Sequence, residues 1–71
     1  MNKKLISKFG KNLKKIRLNK KLSQEELAEK AGLHRTYIGM VERGEKNITL
    51  SSMEKITRSL NISLSQLLKK L

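Results

Sequence analysis

Residues 23–44 read SQEELAEKAGLHRTYIGMVERG, and this stretch sets the architecture. Ser23 with Glu26 three residues on is the pattern of a capping box, in which each partner satisfies a free amide of the other at a helix start. Glu25 and Glu26 also suit the positive end of a helix dipole. Leu27, Ala28 and Ala31 give this helix a narrow apolar side, and Gly32 ends it with a residue free to turn left-handed. A second helix is expected over about residues 34–42, with Leu33, Ile38 and Val41 pointing inward and Gly44 as its stop. Ala28 lets the two helices approach closely, and Leu33 plugs the corner between them.

Working outward, the rest of the chain reads as three more helices. Residues 7–19 carry Phe9, Leu13 and Ile16 at the spacing of one apolar face, with Lys11, Lys14 and Lys15 on the other side. Residues 50–60 form a fourth helix, capped by Thr49 or Ser51, with Leu50, Met53, Ile56 and Leu60 as its core stripe and Asn61 as its end. Residues 63–71 form a short fifth, opened by a Ser63–Gln66 capping box. With no proline and many strong helix formers, the fold class is all-α: one domain over residues 1–71, a compact five-helix bundle.

Charge narrows the function. Seventeen Lys and Arg face six Glu and no Asp, a formal net charge of +11. Residues 1–22 hold nine basic groups and no acid. Solubility does not require so lopsided a balance, so a polyanionic partner is expected, nucleic acid or an anionic membrane surface. No apolar run approaches the roughly 20 residues that cross a bilayer, and no signal pattern follows the basic start. The absence of cysteine excludes disulfides and thiolate metal sites and fits a reducing cytosol. His34 has no second His, no Cys and no Asp to complete a reactive centre or a metal site, so neither catalysis nor a cofactor is expected.

The two helices of residues 23–43 make a helix-turn-helix unit, with seven positions in agreement: Leu27, Ala28, Ala31, Gly32, Leu33, Ile38 and Val41. The longer string LSQEELAEKAGLHRTYIGMVERGEKNITLSSMEKITRSLNISLSQLL, residues 22–68, resembles the Cro/phage-repressor type of helix-turn-helix family. More narrowly, Arg35-Thr36-Tyr37-Ile38, Glu42-Arg43 and Asn47-Ile48-Thr49 resemble the controller proteins of bacterial restriction–modification systems. The resemblance spans about residues 8–68. It implies a lambda-repressor-like DNA-binding domain acting as a homodimer on a roughly palindromic operator, and in the controllers an autoregulatory switch that activates at one site and represses at another.

The outward residues then take expected roles. The third helix fits the major groove, and Arg35 either bonds both O6 and N7 of guanine or holds phosphate. Thr36 either packs its methyl on thymine and bonds a base edge or is plain helix surface. His34 stands at the helix start, within reach of base or phosphate. Gly39 leaves a smooth spot for close approach to the bases, or for a neighbouring helix; Met40 meets thymine methyls or tucks into the core. Gln24 matches a family position that bonds phosphate, beside Ser23 at an anion-favouring helix start. Arg43, Lys46 and Asn47 face the backbone, with Lys46 where some controllers carry arginine. Tyr37 resembles a family tyrosine near the DNA backbone, the other reading being a core-packed ring. Arg17 and Glu42 sit at inward positions, and the resemblance implies a structural salt bridge between them.

Leu64, Leu67, Leu68 and Leu71 exceed what one side of a short helix needs for its own core, so the spare face is expected to form a dimer interface, the other reading being that all four pack internally; that the chain dimerises is mainly what the resemblance implies. The partners implied are operator DNA, a second copy and, at a promoter, RNA polymerase; no small-molecule ligand and no membrane. The place of action that the resemblance implies is the bacterial cytoplasm, at the nucleoid. A phage or plasmid repressor and an antitoxin of the same fold remain open readings. A basic membrane-active helical protein is a remote one, since the caps and glycine corner specify a globular fold.

Overall fold

The computed structural model describes residues 3–69, and five helices account for most of them: α1 (Lys3–Asn19), α2 (Gln24–Ala31), α3 (Arg35–Glu42), α4 (Leu50–Leu60) and α5 (Leu64–Leu67). There is no strand among the described residues. α1 begins a turn earlier than its main apolar stripe. Leu5 and Ile6 are half-buried, and nothing between Lys3 and Ser7 breaks a helix.

The caps form where the sequence places them. Ser23 Oγ accepts the Glu26 amide at 3.0 Å, and the Ser23 amide donates to Glu26 Oε1 at 2.8 Å. Gly32 takes φ 69°, a left-handed turn. Its successor Leu33 donates its amide to the Ala28 carbonyl at 2.9 Å, closing the helix end. Thr49, rather than Ser51, caps α4 by accepting the Ser52 amide at 3.0 Å. Asn61 ends α4 at φ 55°, and Ser63 and Gln66 form the box that opens α5.

One core unites the helices: Phe9 and Leu13 of α1, Leu27, Ala28 and Ala31 of α2, Ile38 and Val41 of α3, Met53, Ile56 and Leu60 of α4, and Leu67 of α5. Ile48, between α3 and α4, joins them. Burial of each larger aliphatic side chain contributes about 1.5–3 kcal/mol.

Three expectations change here. Leu50 is not part of the core stripe but 75% exposed. It is the first residue of α4, at the edge of the buried face, and Ile48 turns inward in its place. Leu67 is fully buried, so it belongs to the core of its own chain and has no surface left for a partner. The fifth helix is a single turn instead of residues 63–71: Leu68 caps it, and the Leu67 carbonyl accepts a hydrogen bond from the Asn12 side-chain amide of α1. Leu71 lies outside the described residues.

Candidate nucleic-acid interface

α3 is fixed from below by two devices. The first is a close crossing with α1. A Cβ built on Gly10 would lie 2.4 Å from the Val41 carbonyl oxygen and 2.6 Å from that of Glu42. Only glycine permits this approach, since both obstacles are backbone. The sequence does carry a signal for it, because a glycine between Phe9 and Leu13 interrupts a good helix at a cost of about 1 kcal/mol. That signal was not among the expectations above.

The second device is ionic. Arg17 Nε donates to Glu42 Oε2 at 2.6 Å, and Arg17 Nη2 donates to Glu42 Oε1 at 3.0 Å. Both residues are buried, at 5% and 7% exposure. Arg17 Nη1 donates to the Leu22 carbonyl at 2.7 Å, and Gln24 Nε2 donates to Glu42 Oε1 at 3.0 Å. One carboxylate thus ties the end of α1, the start of α2 and the end of α3. A bidentate, fully bonded pair is the arrangement that offsets the desolvation of two buried charges.

The outward side of α3 presents Arg35 and Thr36, both exposed. With Gln24, Gly39 and Arg43 they line a shallow hollow of about 180 Å³. Gly39 forms the floor. It is buried, covered not by a helix but by flexible side chains: a Cβ there would lie 3.0 Å from Arg43 Nη1 and 3.5 Å from Gln24 Oε1. Five of the residues expected at the interface therefore meet at one spot. His34 is the N-cap of α3, exposed and without a side-chain cap bond. Lys46 and Asn47 are exposed in the loop beyond Gly44. Met40 is half-buried.

Tyr37 takes the second of its two readings, and Arg43 is placed differently from its expected role. Tyr37 packs against the core, and its hydroxyl is enclosed without a hydrogen-bond partner among the described residues. It reaches a phosphate only if the side chain turns outward. Arg43 is engaged by Glu45: Nε to Oε2 at 2.9 Å and Nη2 to Oε1 at 3.2 Å. The pair holds the Glu45 carboxyl below its ordinary value and raises the Arg43 guanidinium, each chiefly through that hydrogen bond. Glu45 was not singled out from the sequence, although an acid two residues from Arg43 is a visible sign. The pair is exposed at 56% and 51%, so a phosphate can displace the carboxylate at little cost. Ser23 Oγ serves α2 as its cap.

No described helix is long and apolar enough to cross a membrane, and no group of three or more potential metal ligands occurs among the described residues. Residues 13–67 match the family model described as helix-turn-helix. The control protein C.SmaI of Serratia marcescens is 50% identical over 60 residues, covering 84% of this chain and 71% of its own length. The immunity repressor of Bacillus phage phi105 is 43% identical over 56 residues, 79% of this chain and 39% of the repressor. Among solved structures, the restriction-modification controller protein C.AhdI from Aeromonas hydrophila superposes with a TM-score of 0.86 at 44% identity, covering 87% of this chain and 94% of that one.

Proposed function

This chain belongs to the helix-turn-helix family of DNA-binding transcription regulators, and on that premise we propose that it is the autoregulatory controller of a restriction–modification system. It acts as a homodimer on a roughly palindromic operator in the bacterial cytoplasm. The controller role is supported by the likeness to C.SmaI and C.AhdI, and the observation that carries DNA reading by this chain is the hollow over Gly39. Arg35, Thr36, Gln24 and Arg43 converge there on the outward side of a helix that Gly10 and the Arg17–Glu42 pair hold rigidly.

α3 enters the major groove, which admits one helix. Arg35 and Thr36 read base edges, with His34 and Met40 at the margins and Gly39 allowing close approach. Gln24 at the start of α2, Arg43, Lys46 and Asn47 hold phosphates on either side; Ser23 caps α2 so that its free amides face the same strand. Tyr37 joins the backbone contacts by rotating its hydroxyl out of the enclosed position. Leu64 and Leu68, at 42% and 37% exposure, supply the dimer contact together with Leu71. Two-fold symmetry then sets the two reading helices about 34 Å apart, one turn of DNA. Control follows concentration, because dimers and operator occupancy rise together, and RNA polymerase is the partner met at an activated promoter.

Selection of bound duplexes from a random pool tests this reading. A two-fold symmetric site with half-sites one turn apart is expected, bound by a species that sediments as a dimer. Recovery of no common sequence, or a monomer on a single half-site, would refute it. The likeness to the phi105 immunity repressor favours a second reading, a repressor without an endonuclease partner. An endonuclease gene beside the coding sequence decides for the first.

A further inference from the structure

α1 carries a charged surface that the α3 face does not use. At about 100° per residue, Lys3, Lys4, Lys8, Lys11, Lys14 and Lys15 fall within one arc of about 140°. All six are exposed. Phe9, Leu13 and Arg17, the buried side chains of the same helix, point to the other side. No acid occurs on α1. The ion pairs among the described residues are Arg17–Glu42, Arg43–Glu45 and Arg58–Glu54, and none uses these lysines. Stability gains nothing from the arrangement: Lys4–Lys8, Lys8–Lys11, Lys11–Lys14 and Lys11–Lys15 are like-charged neighbours three or four residues apart, which weaken a helix.

The position of the stripe matters as much as its charge. Ser7 packs on Gly44, whose Cβ would lie 3.2 Å from the Ser7 Cα, and Gly10 rests on the Val41 and Glu42 carbonyls. Ser7 and Gly10 share the flank of α1 that also carries Lys3 and Lys14, with Lys11 one turn beyond Ser7. The stripe therefore starts beside the loop that holds Arg43, Lys46 and Asn47. It runs along a helix of 17 residues, about 25 Å long.

We infer that the lysine stripe of α1 is a second phosphate-binding surface, for the duplex that flanks the operator on the side of the Arg43–Asn47 loop. Lys3, Lys11 and Lys14 make the nearest contacts; Lys4, Lys8 and Lys15 deepen the field. Charge complementarity and continuity with the loop select this partner. The inference rests on the reading that this chain binds duplex DNA. Its consequence is a sequence-independent, salt-sensitive gain in affinity when the duplex extends past the operator.

The test compares the duplex recovered by selection with the same duplex lengthened by about one helical turn of unrelated sequence at each end. Wild type and the triple variant K3Q/K11Q/K14Q are titrated with both over a range of salt. Glutamine keeps the helix propensity of lysine, and circular dichroism checks the fold. Wild type should bind the longer duplex about tenfold more tightly near physiological salt, with a log–log salt slope steeper by roughly two to three units per protomer. The variant should lose both gains, bind the short duplex as wild type does and keep its base preference. Equal wild-type affinity for the two lengths overturns the inference, as does a variant that retains the gain. A variant that keeps its DNA isotherms but no longer sediments with phosphatidylserine vesicles assigns the stripe to a membrane surface and also overturns it. A selection that recovers no bound duplex defeats the DNA-binding reading itself; wild type that binds the operator without a length gain defeats only this inference.

Discussion

At the α2–α3 corner, Gly32 turns the chain and the next residue closes the turn onto Ala28. At the α1–α3 crossing, Arg17 reaches a carboxylate 25 positions away and Gly10 lies against the backbone of Val41 and Glu42. Both contacts fix the same helix. The corner needs glycine for its φ of 69°, and a Cβ there would meet nothing within 4 Å. The crossing needs glycine for its lack of a side chain. The corner sets the angle at which α3 leaves α2, while the crossing sets how deep α3 sits and how firmly its outward face is held.

Substitutions separate the two. Glu42→Ala should have the largest effect, because it strands a buried guanidinium: about 3–5 kcal/mol of stability lost, read by urea unfolding. A loss below about 1 kcal/mol would mean that the Arg17–Glu42 pair behaves like a surface ion pair and does not hold α3. Gly10→Ala comes next, at about 2–3 kcal/mol, since carbonyls cannot step aside as a flexible side chain would. Gly32→Ala should cost about 1–2 kcal/mol through its left-handed backbone alone. If Gly32→Ala proves the more damaging of the two, the crossing is looser than the corner and the comparison reverses.

The smallest effect concerns the α2 start. The Ser23 amide, followed by its hydroxyl, holds the Glu26 carboxyl below its ordinary value. A lowered folded-state value adds stability that is present above the unfolded-state value and is lost as pH falls through the folded-state one. Glu26→Gln should therefore be slightly less stable than wild type near neutral pH, with the gap closing on acidification through and below the glutamate range. A gap that does not change with pH would remove the charge from the cap's contribution.

How much the sequence revealed follows the same division. Ser23–Glu26, Gly32, Asn61 and Ser63–Gln66 were legible because each cap is decided within about four residues; at α4 the sequence offered both Thr49 and Ser51, and only the structure selects Thr49. Burial was legible for helix interiors but not at helix ends. Leu50 has the spacing of a core residue yet opens α4, and Leu67 looks like a spare leucine yet fills the core beneath α1. Periodicity specifies a face and is silent on what covers it. Gly10 shows locally only as a glycine that weakens a good helix; the reason for it is not local, since its obstacle lies on another helix. The candidate interface was readable as a list, because Arg35, Thr36 and Gly39 fall on the outward side of the third helix and the resemblance marks the positions of Gln24 and Arg43. The covering of Gly39 by Arg43 and Gln24, the Arg43–Glu45 pair and the enclosed Tyr37 hydroxyl depend on side-chain placement that spacing does not encode.

The central claim is that the outward side of α3 reads sequence in duplex DNA, with Arg35 as its principal base contact. The direct measurement is the affinity of wild type and Arg35→Ala for the selected operator and for a scrambled duplex of equal length, at one salt concentration. Loss of about 1–3 kcal/mol of discrimination, with binding to the scrambled duplex nearly unchanged, is the predicted result. An equal loss on both duplexes would make Arg35 a phosphate anchor and contradict the claim.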